Sequence, residues 1–318
     1  MALVSVIIVN YNGKEFLKII LDSLKTSIFR NFEVIVLDNA STDGSQQFIR
    51  KKYPKIKLVE NKSNLGYSGI NSSIKYCNGK YILFLNNDIK INSRCIGNLV
   101  KVIELDDSIG MVAPKLINYY DKNIISGGTW LSRAFYNGHI RGGESLKNIV
   151  IPYLGVGLIR KSIVDKYGHL FDPNYFIYAE DVDLGLRIRL LGKKIVLVND
   201  ALLYHMHAAT TSKTTKSFTT YQMERNLMIT FFKILSLKNI ILFLPYVLLM
   251  RFFAIIKDVI TLRFGNALAR IKAVLFILIH FGLILKKRTQ IKKFRTVDDN
   301  FILEVFNEKY ILKPKFIV

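Results

Sequence analysis

The chain has 318 residues, half of them hydrophobic, and carries 46 Lys and Arg against 24 Asp and Glu, a net charge of +22. It is long enough to bury a substantial core as one large or two moderate domains. Such a positive surplus on so apolar a chain suits an anionic partner (nucleic acid, an acidic membrane surface or a phosphorylated substrate) better than general solubility. Its two cysteines, Cys77 and Cys95, sit in or beside apolar segments without metal-like spacing, which points to reduced core thiols in a cytosolic setting rather than a cysteine metal site.

Met1-Ala2-Leu3 runs straight into an apolar run, so a first buried strand over Leu3–Val9 is expected and a signal peptide is not. That strand ends in the turn residues Asn10-Tyr11-Asn12-Gly13. Phe16, Leu17, Ile20, Leu21 and Leu24 then recur at helical spacing. A second strand, Phe32–Leu37, ends in Asp38-Asn39-Ala40-Ser41-Thr42-Asp43-Gly44, and a helix from Ser45 to about Tyr53 leads to a third strand, Ile56–Val59. The Gly/Asn/Ser-rich loop Asn61–Gly69 enters a helix to about Cys77, a setting that suits a phosphate. Tyr81-Ile82-Leu83-Phe84-Leu85 is short and continuously apolar, the pattern of a strand buried on both faces, and it stops abruptly at Asn86-Asn87-Asp88. The strand–helix alternation predicts a parallel sheet with right-handed crossovers.

Three strand ends therefore carry polar residues: Asn10/Asn12, Asp38/Asn39 and Asn86–Asp88. Ligands of open α/β sheets sit beyond the carboxyl ends of strands. Singly, Asp38 and Asp43 are accounted for by turn chemistry and helix capping; as a set, the three ends point to a nucleotide site. The first turn lacks G-x-G-x-x-G and the chain lacks a Walker A sequence, so neither a dinucleotide site nor a P-loop is expected. Asp88 offers one carboxylate, which suits Mg²⁺ or Mn²⁺ held jointly with substrate phosphates.

Ile109–Pro114 reads as one more strand, followed by irregular, glycine-rich sequence from Lys115 to Ile151. Trp130, the one tryptophan, suits packing or stacking on a sugar. Tyr153–Arg160 looks like a buried strand. A helix begins near Glu180, with Leu184, Ile188 and Leu191 on one face; Glu180, Asp181 and Asp183 in its first turn complement the helix dipole. Lys194–Val198 and Ala201–Tyr204 are expected as two short strands before His205-Met206-His207. Thr210–Lys216 reads as a flap whose Lys213 and Lys216 could neutralise a departing diphosphate. After about Thr220 the composition shifts. Ile240–Met250 and Ala273–Leu285 are apolar runs shorter than the roughly 20 residues of a spanning helix. Basic residues punctuate them, so helices lying in a membrane interface are expected.

In family order, the segments Val4–Asn12, Val34–Gly44, Asn64–Asn71, Leu85–Asp88, Phe171-Asp172-Pro173, Tyr178–Leu184 and His205 resemble the family-2 glycosyltransferases of GT-A fold, in particular the rhamnosyltransferase-like branch. The resemblance covers roughly the first two-thirds of the chain. It implies a catalytic domain over 1–220, with a nucleotide-sugar part to about 114 and an acceptor part beyond it, and a helical region over 221–318. It implies a nucleotide-diphosphate sugar donor bound near Asn10, Asn12, Asp38, Asn39, Asn64, Gly66, Asn71, Asn86 and Asn87. Asp88 would be the metal-binding end of a D-x-D motif, with Asn86 in place of the first Asp, and His205 (or His207) would reach the metal or the diphosphate. Asp181 would be the base of an inverting enzyme, with Glu180 positioning acceptor or base. The implied acceptor is a glycan, free or lipid-linked, met at the cytoplasmic face of the cell membrane; a homo-oligomer is left open. The rival readings are a polyprenyl-phosphate sugar synthase, an inactive membrane scaffold, and a basic nucleic-acid-binding protein, against which no nucleic-acid motif appears.

Overall fold

The computed structural model describes residues 2–126, 128–139, 156–206, 215–304 and 306. Strands β1 (Val4–Asn10), β2 (Phe32–Asp38), β3 (Lys57–Glu60) and β4 (Tyr81–Asn86) alternate with helices α1 (Lys14–Lys25), α2 (Ser45–Lys52) and a 3-10 helix (Tyr67–Tyr76). Next come β5 (Ile89–Ile91), α3 (Cys95–Leu105), β6 (Ile109–Asn118), β7 (Ile124–Ser126), β8 (Thr129–Leu131) and β9 (Asn137–His139). β10 (Gly157–Arg160), α4 (Lys161–Tyr167), α5 (Glu180–Leu190) and β11 (Lys194–His205) complete the α/β part. Four long helices follow, α6 (Lys216–Ile234), α7 (Leu237–Ile260), α8 (Phe264–Ile279) and α9 (Phe281–Lys292), and then the short α10 (Asp299–Leu303).

The period-2 geometry of β1 and β4 explains their continuous apolar sequence. Val4, Val6, Ile8, Tyr81, Leu83 and Leu85 point into one core with the apolar faces of α1 and α3. Ile7, Val9, Ile82 and Phe84 point into the opposite core with Ile70, Phe171, Leu184 and Ile188. Complete burial of each such side chain contributes about 1.5–3 kcal/mol, so these strands fix the layer order. A third core, built on Phe135, Tyr175, Val182, Leu186, Phe231, Val247, Ile277 and Ile284, joins α5 and α6 to the last helices.

The strand order is β3-β2-β1-β4-β10-β6-β11-β5, with β7 paired to β6. The mostly parallel sheet expected is present, with two antiparallel insertions that make it mixed as a whole. The β3-β2-β1-β4 half is parallel, as is the β6–β11 pair. β10, however, runs antiparallel between β4 and β6, and β5 runs antiparallel to β11. The physical reason is connectivity: the chain leaves the sheet through the β6–β7 hairpin and re-enters at β10 from the opposite end, while the tight turn at Asn87-Asp88 folds β5 back. The two short strands expected at 194–204 are one strand with a register shift between Val198 and Leu202.

The C-terminal run lengths are also corrected. Ile240–Met250 lies inside one 24-residue helix, α7, that continues through Pro245 and Arg251. By length and composition it could cross a membrane. Its buried stripe is Ile240, Val247, Arg251 and Asp258, whereas Ile241, Leu242, Leu249, Phe252, Phe253 and Ile260 are exposed. Arg251 is tied down by Ala134 O at 2.8 Å and the Glu224 carboxylate at 3.1 Å, and Arg270 of α8 bridges Glu224 and Asp258. α8 and α9 are bent by 69° at His280. His207, Gly142-Gly143 and most of the Thr210–Lys216 segment, Lys213 included, lie outside the described residues.

Candidate active site

The ends of β1 and β2 are stitched together by side chains. The Asn10 amide donates to Asp38 Oδ2 at 2.8 Å. Asp38 Oδ1 accepts from the Ser41 backbone at 2.8 Å and from Gln46 Nε2 at 2.7 Å. Asp38 is fully buried. In these surroundings Asp38 orders the loop that follows β2. Asn12 Oδ1 caps the same loop at Thr42 N, 2.8 Å away. Asn39 Nδ2 donates to Gly66 O at 2.8 Å, linking that loop to the next one.

Gly66 has φ +64°, and a Cβ there would lie 1.9 Å from Phe176 O, so only glycine lets this loop lie against the segment leading to α5. Asn64 Oδ1 accepts from Gly66 N at 2.9 Å, and Tyr67 N donates to Phe176 O at 2.7 Å. Asn71 acts at longer range: its amide donates to Phe171 O at 2.7 Å and its oxygen accepts from Leu170 N at 2.9 Å. Thus Asn12, Asn39, Asn64, Gly66 and Asn71 hold the walls of the cleft in register.

At the end of β4, Asn86 accepts a hydrogen bond from the Tyr67 hydroxyl, and Asn87 Nδ2 donates to Asn10 Oδ1 at 2.7 Å. Asp88 lies next to His205 at the end of β11, with Nε2 3.3 Å from Oδ2, and both are nearly buried. The main chains are pinned there too, since Met206 N donates to Asp88 O at 2.9 Å. Among the described residues no three His, Cys, Asp or Glu side chains cluster as a closed cage. One carboxylate beside one imidazole fits a hard divalent cation that takes its remaining ligands from a diphosphate and water.

Glu180 and Asp181 are presented by a strained turn. Tyr178 and Ala179 both have positive φ, +68° and +60°, a conformation that costs non-glycine residues about 1–3 kcal/mol each. Asn226 of α6, fully buried, secures it: its amide donates to Ile177 O at 3.1 Å and Tyr178 O at 2.7 Å. Arg225 Nε in turn donates to Asn226 Oδ1 at 3.0 Å. Burial, and then the Asp181 charge, raise Glu180 to about 8; burial raises Asp181 to about 6, against a hydrogen bond from Val182 N. Glu180 Oε2 is buried and has no hydrogen-bond partner among the described residues. Near neutral pH the pair holds one proton, which leaves one carboxylate able to accept another.

Asp183 has a different environment. Arg187 Nε lies 2.8 Å and Lys233 Nζ 2.5 Å from its carboxylate, and Lys233 also reaches Asp172 at 2.7 Å. Lys287 of α9 is a further partner of Asp172, at 2.5 Å. The acid of Phe171-Asp172-Pro173 and the last acid of the α5 turn are therefore parts of one buried ion network.

The link between the two halves of the site is Tyr67, which reading the sequence missed as a site residue. Burial pushes its phenol well above the usual range, and the charges of Glu180, Asp88 and Asp181 add to that push. Its hydroxyl bonds to Asn86, near Asp88 in sequence, and its backbone N–H bonds to Phe176 O in the segment leading to the acid pair. Tyr67 sits inside the Asn64–Asn71 segment, so its position was visible though its role was not. Asn226, some 45 residues beyond the acids it supports, carried no such signal. Trp130 packs over Gly138, where an added Cβ would meet the indole at 2.7 Å, so packing is the role its surroundings explain.

The Glycosyl transferase family 2 model matches residues 5–168, more than half of the chain. The UDP-Glc:alpha-D-GlcNAc-diphosphoundecaprenol beta-1,3-glucosyltransferase WfaP of Escherichia coli is 29% identical over 228 residues, covering 64% of this chain and 89% of that one. An N-acetylglucosaminyl-diphospho-decaprenol L-rhamnosyltransferase of Mycobacterium tuberculosis is 26% identical over 239 residues, 65% of this chain and 77% of that one. Among solved structures, TarS 1–349 of S. aureus with UDP-GlcNAc superposes with a TM-score of 0.61 at 18% identity, covering 96% and 92% of the two chains. The fold is therefore GT-A, and the chain belongs to glycosyl transferase family 2.

Proposed function

We propose that the protein is an inverting, metal-dependent glycosyltransferase that moves a sugar from a nucleotide-diphosphate donor to a hydroxyl of a lipid-linked or free glycan. The supporting observation is that Tyr67 ties the strand end carrying Asp88, through Asn86, to the segment leading into Glu180 and Asp181, through Phe176 O, with Asp88 beside His205. Asp88 and His205 would hold Mg²⁺ or Mn²⁺, which when bound with the donor offsets charge on the diphosphate leaving group. Asp181 takes the acceptor hydroxyl proton as that oxygen attacks the anomeric carbon. The bond to the nucleoside diphosphate breaks on the opposite face, giving inversion. Glu180 keeps its proton beside Asp181 and hydrogen-bonds the incoming acceptor.

The WfaP and rhamnosyltransferase relatives act, by their names, on diphospho-polyprenol acceptors, which favours a lipid-linked acceptor here. The working location would then be the cytoplasmic face of the cell membrane. The attachment of Arg251 and Asp258 to the rest of the protein argues that α7 lies along that surface, its other face toward lipid. A screen of nucleotide-sugar hydrolysis with Mn²⁺ and Mg²⁺ tests this reading before any acceptor is known. Metal-dependent release of one nucleoside diphosphate is the expected result, and no turnover of any nucleotide sugar would count against it.

A further inference from the structure

A second concavity borders the cleft without belonging to it. Between the start of α6 and the length of α8 lies a groove of about 610 Å³, within the range of ligand sites. Its walls include Phe218, Tyr221, Leu268, Leu275 and Ile279, with Lys272 as a cation. One end abuts the turn that carries the acid pair. Phe218 packs on Phe176 at 6.3 Å between ring centres, and Thr219 Oγ1 lies 3.4 Å from the Tyr178 hydroxyl. The other side opens on bare apolar surface, where Leu268 is 51% and Ile279 75% exposed. An occupant that satisfies both ends is an amphiphile with a long apolar chain and an anionic head.

We infer that this groove holds the isoprenoid chain of a lipid-linked diphosphate acceptor, entering from the membrane-facing helices and presenting its sugar to Asp181. The inference rests on the glycosyl-transfer reading above, and it adds where the lipid chain of that acceptor is held. A bare bilayer-facing patch would need no recess leading to the acid turn. A second copy of the chain would leave Lys272 facing a surface of like net charge.

The test is photolabelling of the full-length protein in detergent micelles with geranylgeranyl diphosphate carrying a diazirine on its distal isoprene unit. Label is expected in peptides spanning 217–221 and 265–280. Excess unlabelled geranylgeranyl diphosphate should suppress it, whereas inorganic pyrophosphate or phosphatidylglycerol should not. Gly265→Phe is aimed at filling the groove; a Cβ at Gly265 meets Ser217 Cβ at 3.5 Å, an ordinary contact, and an unchanged urea midpoint of the variant is the check that the fold is kept. It should cut labelling at least about tenfold, and Leu268→Ser, at a half-exposed position, about threefold. Label elsewhere overturns the inference, as does equal competition by phosphatidylglycerol, or insensitivity to both variants. Label that vanishes as the protein dimerises also overturns it and assigns the groove to a second copy. Nucleotide-sugar turnover is read separately: turnover without groove labelling sinks the groove alone, and groove labelling without turnover sinks the transfer reading and spares the groove.

Discussion

Two sets of buried acids lie within a few residues of each other and behave oppositely. Asp172 and Asp183 face Lys233, Lys287 and Arg187, and those cations hold both carboxylates below the usual range despite burial. Glu180 and Asp181, on the same helix turn as Asp183, have no such cations against them among the described residues, and burial lifts both above that range. The difference teaches what each set is for. A buried acid with counter-ions is fixed in its charged form and serves as mortar between α5, α6 and α9. A buried acid pair without them keeps a proton close to neutrality, as a general base or acid requires.

The largest effect expected from breaking this contrast falls on the mortar. Lys233→Met strips both Asp172 and Asp183 of a cation and should destabilise the fold by about 3–5 kcal/mol, read as a lower urea midpoint. A midpoint within error of wild type would show that the network is not structural. A smaller loss, about 1–3 kcal/mol, is expected for Asn226→Ala, which frees two carbonyls of the strained turn. That variant should also lower kcat by about tenfold or more while leaving donor Kd unchanged, a split that general destabilisation would not produce. Equal loss in both would reduce Asn226 to packing.

The subtlest way to sharpen the comparison is pH. Asp181, raised to about 6, is a base only when ionised, so kcat should fall about tenfold per unit as pH drops below 6. Stability should move in opposite senses for the two sets. The contribution of Asp172 and Asp183, whose folded values are depressed, is present above the ordinary carboxylate range and lost as pH falls through their folded values. The raised pair favours the fold in its protonated form, an advantage present below the ordinary carboxylate range and lost as pH rises toward 8. In Lys233→Met, stability measured from about pH 2 to 8 should show the first dependence, which lies below the ordinary carboxylate range, weakened, and retain the second; loss of both would merge the two sets.

Much of this was legible in the residues. The unbroken apolar runs of β1 and β4 announced strands covered on both faces, and the three acids before Leu184 marked the start of α5. Strand direction was not legible, because nothing in Gly157–Arg160 records that it returns between β4 and β6 from the opposite end. Nor was the length of α7: Arg251 reads as the end of an apolar run until the Ala134 carbonyl and Glu224, both distant in sequence, are brought against it. Asp183's partner at i+4, Arg187, was within local reach, but Lys233 belongs to another helix. The residues expected to bind donor also hold loops together, a role the sequence did not single out because an asparagine at a strand end suits a turn as well as a ligand.

The central claim is that Asp181, a buried carboxylate with no counter-ion among the described residues, removes the acceptor proton. Asp181→Asn tests it most directly, with transfer rate and donor affinity measured on the same preparation. A fall in kcat of about 10²–10⁴ with donor Kd unchanged is the predicted result. Transfer at near the wild-type rate would contradict the assignment.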